Sequence, residues 1–129
     1  AGVPAHDVLV TNPPFSGDHK ERCLHHCARA ECAWLVLLPS YCATKRYFQA
    51  IFRPGPAQHA PIPPSSFFFA VPKERYEFAH PEGTGHGSSP FFSVWFVCLG
   101  PHTDAVFRWY KASHGERGGL RLARTVEEL

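Results

Sequence analysis

The 129-residue sequence contains no methionine, and none of its apolar runs is long enough to cross a membrane. A spanning helix needs roughly 18 to 20 consecutive apolar residues. The start of the chain, Ala1-Gly2-Val3-Pro4, also lacks the charged and apolar regions of a secretion signal. We therefore expect no membrane contact, and the missing initiator methionine predicts that the chain is part of a longer protein.

The five cysteines are odd in number and not arranged in C-x-x-C pairs. Cys23 and Cys27 are one helical turn apart, which favours small buried thiols over a disulfide framework. This predicts a reducing, intracellular location, either cytoplasmic or nuclear. His25, His26 and Cys32 nearby raise the question of zinc, but a single helix cannot surround a tetrahedral ion. We predict no metal site.

Charge of either sign is in little excess, since 13 basic residues face 11 acidic ones and the net charge is +2. Proteins that bind nucleic acid by electrostatics alone concentrate far more positive charge. The content of 44% hydrophobic and 14% aromatic residues suits one core. The composition therefore predicts a single domain over residues 1–129 and permits a nucleic-acid partner without requiring one.

The order of apolar runs predicts an α/β fold. Short β-branched runs alternate with segments of helical spacing, as in βαβ units of a parallel sheet. Only a short link that begins with Gly100-Pro101-His102 joins the last two predicted strands, so one of them should run antiparallel in a closing hairpin. The predicted strands are 7–11, 33–38, 66–71, 91–99 and 105–110, and the predicted helices are 20–32 and 44–52. The last residues, from 117 onward, predict a loop and a short helix.

The first predicted strand ends at Asn12-Pro13-Pro14-Phe15, and Asp18 and Glu21 stand at capping-box spacing at the start of the following helix. The segment 8–15 resembles the catalytic signature of the N6-adenine methyltransferases, (N/D/S)-P-P-(Y/F) after a buried strand. The glutamine methyltransferases of release factors share this signature, usually with Tyr in the last place. In the family the sheet continues through two more helix-covered strands and ends in an antiparallel hairpin. The resemblance thus implies a Rossmann-like class I methyltransferase sheet, mostly parallel, over about residues 7–99.

The resemblance also implies a reaction: transfer of a methyl group from S-adenosyl-L-methionine to N6 of adenine in RNA or DNA. An exocyclic amine is a weak nucleophile, so its N–H groups must be held by acceptors that aim its lone pair at the methyl group. The Asn12 side-chain carbonyl and the Pro13 backbone carbonyl would be these acceptors, with Pro14 stiffening the turn. Phe15 would stack on an unpaired or flipped base. Asn12 and Pro13 would also border the cofactor.

The part of the family pattern that binds most of the cofactor is missing. In the family a glycine-rich loop and an acidic residue follow two strands that precede the N-P-P-F strand, whereas no strand precedes Val8. The run Glu82-Gly83-Thr84-Gly85-His86-Gly87 has similar glycine spacing, but it leads into a predicted strand rather than a helix. We expect a truncated fold whose cofactor site is completed by a preceding N-terminal half or by a partner chain.

Basic residues follow the carboxyl ends of two further predicted strands, where ligands of open α/β sheets bind. Lys45, Arg46, Lys73 and Arg75 are candidates for phosphate contacts near Asn12, with solvated surface side chains as the alternative. The excursion over residues 73–90 is predicted to cover the target pocket and read the substrate, with an ordered packing loop as the alternative. Its candidate substrate-binding residues are Tyr76, Phe78, His80 and His86.

Two other functions remain open at this point. A protein glutamine methyltransferase needs the same two acceptors for a primary amide, although Phe15 in place of Tyr and the basic residues favour nucleic acid. A non-catalytic, methyltransferase-like binding subunit is the second alternative. The intact Asn12 argues against it, and the missing cofactor half argues for it.

Overall fold

The computed structural model describes residues 5–30, 32–52, 67–74, 92–115 and 117–129, which form an α/β fold with helices on both faces of one mixed sheet. The strands are β1 (Val8–Thr11), β2 (Ala33–Pro39), β3 (Phe68–Pro72), β4 (Ser93–Cys98) and β5 (Leu120–Ala123). The α-helices are α1 (His19–Arg29), α2 (Arg46–Phe52) and α3 (Thr103–His114), and 3-10 segments cover Ser40–Thr44, Gly100–His102 and Val126–Glu128. The helix predicted over residues 20–32 is shorter in the structure, because α1 ends at Arg29 and not at Cys32.

The strands lie in the order β1-β2-β4-β3-β5, and β1 pairs with β2 in parallel, with Thr11 beside Val36. The other three strand pairs of this sheet are antiparallel, so the prediction that most neighbouring strands pair in parallel is wrong. The reason is that β4 lies between β2 and β3 and runs opposite to both. Consequently β1, β2 and β3 run in the same direction, and their carboxyl ends share one edge of the sheet, here called the carboxyl edge.

An aromatic cluster fills the larger of two apolar layers, here called the first apolar layer. Phe48 of α2 lies at its centre, with ring centroids 4.8 Å from Phe52, 5.6 Å from Phe96 and 5.8 Å from Phe67. Helix α1 closes this layer with the fully buried Leu24. The aromatic side chains Phe48 and Phe52 of α2 thus belong to the core.

A second apolar layer lies under α3 on the opposite face of the sheet. Phe107 stacks edge-on against Phe68, with ring centroids 5.4 Å apart, and Val97 and Leu122 complete the contact. Because helices cover both faces, the middle strands are buried on both sides, as the unbroken apolar run of β2 predicts.

The predicted strand 105–110 is wrong, because these residues belong to α3. Gly100 adopts a φ of +58°, which turns the chain directly after β4. The Thr103 hydroxyl then accepts a hydrogen bond from the Leu99 N–H (2.9 Å) and donates one to the Gly100 carbonyl (2.8 Å). This turn starts a helix, and Thr103 and Phe107, four residues apart, are both buried. The predicted hairpin partner of β4 is accordingly absent, and β4 pairs with β2 and β3.

Strand β5 lies where the sequence predicts only a loop and a short helix. It is four residues long and pairs antiparallel with β3 at the edge of the sheet, with Arg121 beside Val71. Of its side chains, only Leu122 and Ala123 are buried. So short and one-sided a strand has too few alternating positions to be detected from sequence.

Gly118, in the turn between α3 and β5, is a position where we expect a substitution to lower stability. The Tyr110 hydroxyl accepts a hydrogen bond from the Leu120 N–H (3.3 Å), and a methyl group on Gly118 would overlap that hydroxyl. We expect Gly118→Ala to lower the free energy of unfolding by about 1 to 3 kcal/mol, as overpacking substitutions do. Gly119→Ala is the matched control, because a methyl group there meets open space. Urea denaturation that finds the two variants equally stable would contradict this packing.

Candidate functional site

The segment Asn12-Pro13-Pro14-Phe15 leaves the carboxyl end of β1 at the carboxyl edge. Strand β2 lies beside β1 and continues to Pro39 past the pairing of Thr11 with Val36. Helix α1 starts at His19 and returns along the first apolar layer. The segment is therefore held between the end of a strand and the start of a helix, as the sequence predicts.

The four residues of this segment differ in solvent exposure. Asn12 and Pro14 are exposed, whereas Pro13 and Phe15 are half-buried. The Asn12 side chain makes no hydrogen bond to any residue that the structure describes, so its amide is available to a ligand. The Phe15 ring packs partly against the first apolar layer, which leaves only part of it for contact with a substrate.

Lys20 is a site residue that sequence reasoning missed. Its ammonium group donates a hydrogen bond to the Phe15 backbone carbonyl and lies 5.9 Å from the centre of the Tyr41 ring. It thus ties the segment after β1 to the turn after β2. A lysine in the first turn of a helix is unfavourable for the helix dipole, and this placement was the available indication of another role.

A solvent-open cleft lies between the start of α1 and the 3-10 segment after β2. Its volume is about 410 Å³. The lining residues are Gly17, Asp18, Lys20, Glu21, Tyr41, Lys45 and Tyr47.

The carboxylates that line this cleft do not form the predicted capping box. Asp18 stands at the N-cap of α1, but its side chain caps no backbone N–H. Glu21 instead lies 3.8 Å from the His25 imidazole, measured from Oε1 to Nε2. The cleft is therefore lined by both carboxylates, from the start of α1, and by the ammonium groups of Lys20 and Lys45.

The described candidates for phosphate contacts differ in their surroundings. Lys45 and Arg46 are exposed after β2, and the Lys45 ammonium lies 5.4 Å from the centre of the Tyr41 ring. Lys73 follows β3, three strand intervals or roughly 14 Å from β1. Its ammonium donates to the Gly115 carbonyl at the end of α3 (3.3 Å), which gives it a structural role. The predicted residues Arg75, Tyr76, Phe78, His80 and His86 lie outside the described residues.

The cysteines contribute to packing. All five are free. A hydrogen bond to Cys23 raises the pKa of the buried Cys27 thiol, as does burial, while the pKa of Cys23 is lowered by the same bond. Burial also raises the pKa of Cys42 and of Tyr47. Among the residues described, no three His, Cys, Asp or Glu side chains are grouped to hold a metal ion.

No helix in the described part of the chain is both long and apolar enough to span a membrane.

Comparison with other proteins gives no family assignment. No family model, curated protein or solved structure matches the chain. A functional assignment therefore depends on the residues at the carboxyl edge.

Proposed function

We propose that this chain carries the catalytic segment of an S-adenosyl-L-methionine-dependent methyltransferase that acts on N6 of adenine in RNA or DNA. The observation that carries the proposal is the position of Asn12-Pro13-Pro14-Phe15 at the carboxyl end of β1, beside the parallel strand β2, with Asn12 exposed. This is the edge at which ligands of α/β sheets bind.

The strand directions support the same proposal. Strands β1, β2 and β3 run in one direction, and β4 returns antiparallel beside β3. The resemblance implies a sheet that ends in such an antiparallel pair, so we propose a Rossmann-like class I methyltransferase sheet over residues 7–99. Helix α3 and strand β5 follow that region and have no counterpart in the resemblance.

The residues of the segment suit an amine acceptor. The carbonyl oxygens of the Asn12 side chain and the Pro13 backbone would accept the two N–H groups of adenine N6, which directs the nitrogen lone pair away from them. Pro14 has no N–H that could compete for a nearby carbonyl, and it restricts the turn. The exposed part of Phe15 would contact the base, which must be unpaired or flipped to reach this edge.

When bound, S-adenosyl-L-methionine would supply a methyl group on a positively charged sulfur. Adenine N6 would take up this group, with S-adenosyl-L-homocysteine as the leaving group and the N6 proton passing to solvent. Asn12 and Pro13 contribute by holding the amine in line, and this help is greatest in the transition state. These are also the two described residues that would border the cofactor.

Strand β1 offers a surface where the rest of a cofactor site would attach. It lies at the edge of the described sheet, and the exposed fractions of Val8 and Val10 are 49% and 61%. An edge strand with exposed apolar side chains is suited to pairing with a further strand. We therefore place at β1 the further segment or partner chain that completes the cofactor site.

The proposal is tested by the class of molecule that accepts a labelled methyl group. The protein, together with any segment or partner that completes it, would be incubated with radiolabelled cofactor and single-stranded RNA, single-stranded DNA or glutamine-containing peptides. We expect label in adenine-containing oligonucleotides and none in otherwise identical oligonucleotides without adenine. Label in the glutamine peptides alone would reject adenine as the target. No label in any acceptor would reject methyl transfer and favour a non-catalytic subunit.

A further inference from the structure

We infer that the cleft beside Tyr41 binds the nucleotide next to the target adenine, with its base on the Tyr41 ring and its phosphate on Lys45. This inference rests on the proposed function, which it deepens by assigning a second nucleotide to the same edge. The cleft of about 410 Å³ adjoins the candidate catalytic segment, because Lys20 both lines it and bonds to the Phe15 carbonyl.

The turn that carries Tyr41 is held firmly in place. The Ser40 N–H donates to the Phe92 carbonyl (2.7 Å), and the Thr44 hydroxyl donates to the Tyr41 carbonyl (2.7 Å). Cys42 and Ala43, the next two residues, are fully buried. An aromatic ring that stays partly exposed on such an anchored turn is a preorganised stacking surface.

Two ammonium groups from different elements lie near this ring. Lys20 is half-buried and fixed by its bond to Phe15, whereas Lys45 is exposed at the end of the 3-10 segment. A cation at an exposed ring is held weakly, and stacking of a nucleobase on an aromatic side chain is stronger. A base can therefore replace the Lys45 ammonium at the ring while that ammonium moves to the adjoining phosphate.

The acidic residues of the cleft set the direction of the nucleotide. Asp18 and Glu21 line the cleft where α1 begins. Their carboxylates repel a phosphate and accept hydrogen bonds from N–H groups on a base edge. The phosphate is thus directed toward Lys45, and the base edge toward the start of α1.

Binding of a short fluorescent single-stranded oligonucleotide, measured by anisotropy on the whole protein, tests the inference. We expect Tyr41→Ala to weaken binding roughly 5- to 150-fold, the range for losing one base–aromatic stack. Tyr41→Phe should bind nearly like the wild type, because it keeps the ring. Lys45→Gln should reduce the slope of log affinity against log salt by about 0.7, as expected for one lost phosphate contact on a single strand.

Lys111→Gln is the matched control. Its ammonium also lies beside an aromatic ring, 5.2 Å from the centre of Phe107, but on α3. This variant should leave both affinity and salt slope unchanged. An equal loss of slope in the Lys45 and Lys111 variants would mean general electrostatic attraction and would overturn the assignment of Lys45.

The outcomes for the cleft and for the reaction can be told apart. Unchanged affinity in Tyr41→Ala, or no binding by the wild type, overturns the cleft assignment whatever the activity. Weaker binding in Tyr41→Ala with no methylation by the wild type retains the cleft and rejects the proposed reaction.

Discussion

Replacement of Asn12 by alanine is expected to lower the single-turnover rate of methyl transfer by about 100- to 1000-fold, the usual cost of removing one preorganised polar group from a transition state. Oligonucleotide affinity and the free energy of unfolding should change little. The reason is that Asn12 is exposed and makes no hydrogen bond to the described residues. A lower rate without weaker binding indicates an interaction made in the transition state.

Asn12→Asp is the matched variant for this experiment. It keeps a side-chain oxygen acceptor at the same position, and the family signature that this segment resembles allows Asp there. We expect it to retain substantially more activity than Asn12→Ala. An alanine variant with near wild-type turnover would remove Asn12 from the mechanism, and so would equal losses in both variants accompanied by unfolding.

Replacement of Phe48 by alanine is expected to lower the free energy of unfolding by about 3 to 5 kcal/mol. Phe48 is 1% exposed at the centre of the aromatic cluster, so its removal leaves a cavity that Phe52 and Phe96 cannot readily fill. Such a loss is a large part of the roughly 5 to 15 kcal/mol that stabilises an ordinary domain. Chemical denaturation measures it.

Trp109→Ala is the control for Phe48, because it also removes a large aromatic side chain. Trp109 is 58% exposed on α3, and its loss should change the free energy of unfolding by no more than about 0.5 kcal/mol. If the two variants were equally stable, the aromatic cluster would not be the centre of the core.

Local patterns with strong physical causes could be predicted from the sequence. The apolar run 33–38, which has no alternation, favoured a strand covered on both faces, and the two prolines after Asn12 favoured the end of β1. The same reasoning placed Asn12-Pro13-Pro14-Phe15 between a strand and a helix. The location of the candidate site was therefore predictable before its three-dimensional surroundings were known.

Features that depend on tertiary contacts could not be predicted in the same way. Val106, Phe107, Trp109 and Tyr110 have the β-branched and aromatic character of a strand, yet packing of Phe107 on the sheet and the turn at Gly100 produce a helix. The preference of these residues for a strand was thus outweighed by their tertiary contacts. Likewise, no spacing along the chain shows that β4 lies between β2 and β3, since sheet order is set by long-range pairing.

The approach of Lys20 to Tyr41 is another contact that sequence alone could not give. The two residues belong to α1 and to the 3-10 segment after β2, and their proximity depends on how both elements meet the carboxyl edge. The sequence did predict Lys45 near this edge. It could not predict that a second ammonium group would lie at the same ring.

The most direct test of the central claim is mass spectrometry of nucleosides released from an adenine-containing oligonucleotide after incubation with the protein, its completing segment or partner, and S-adenosyl-L-methionine. The account predicts N6-methyladenosine, or its deoxy form from DNA, with the wild type and at least a tenfold smaller amount with Asn12→Ala. Adenine without a methyl group at N6, under conditions in which the protein binds the oligonucleotide, would contradict it.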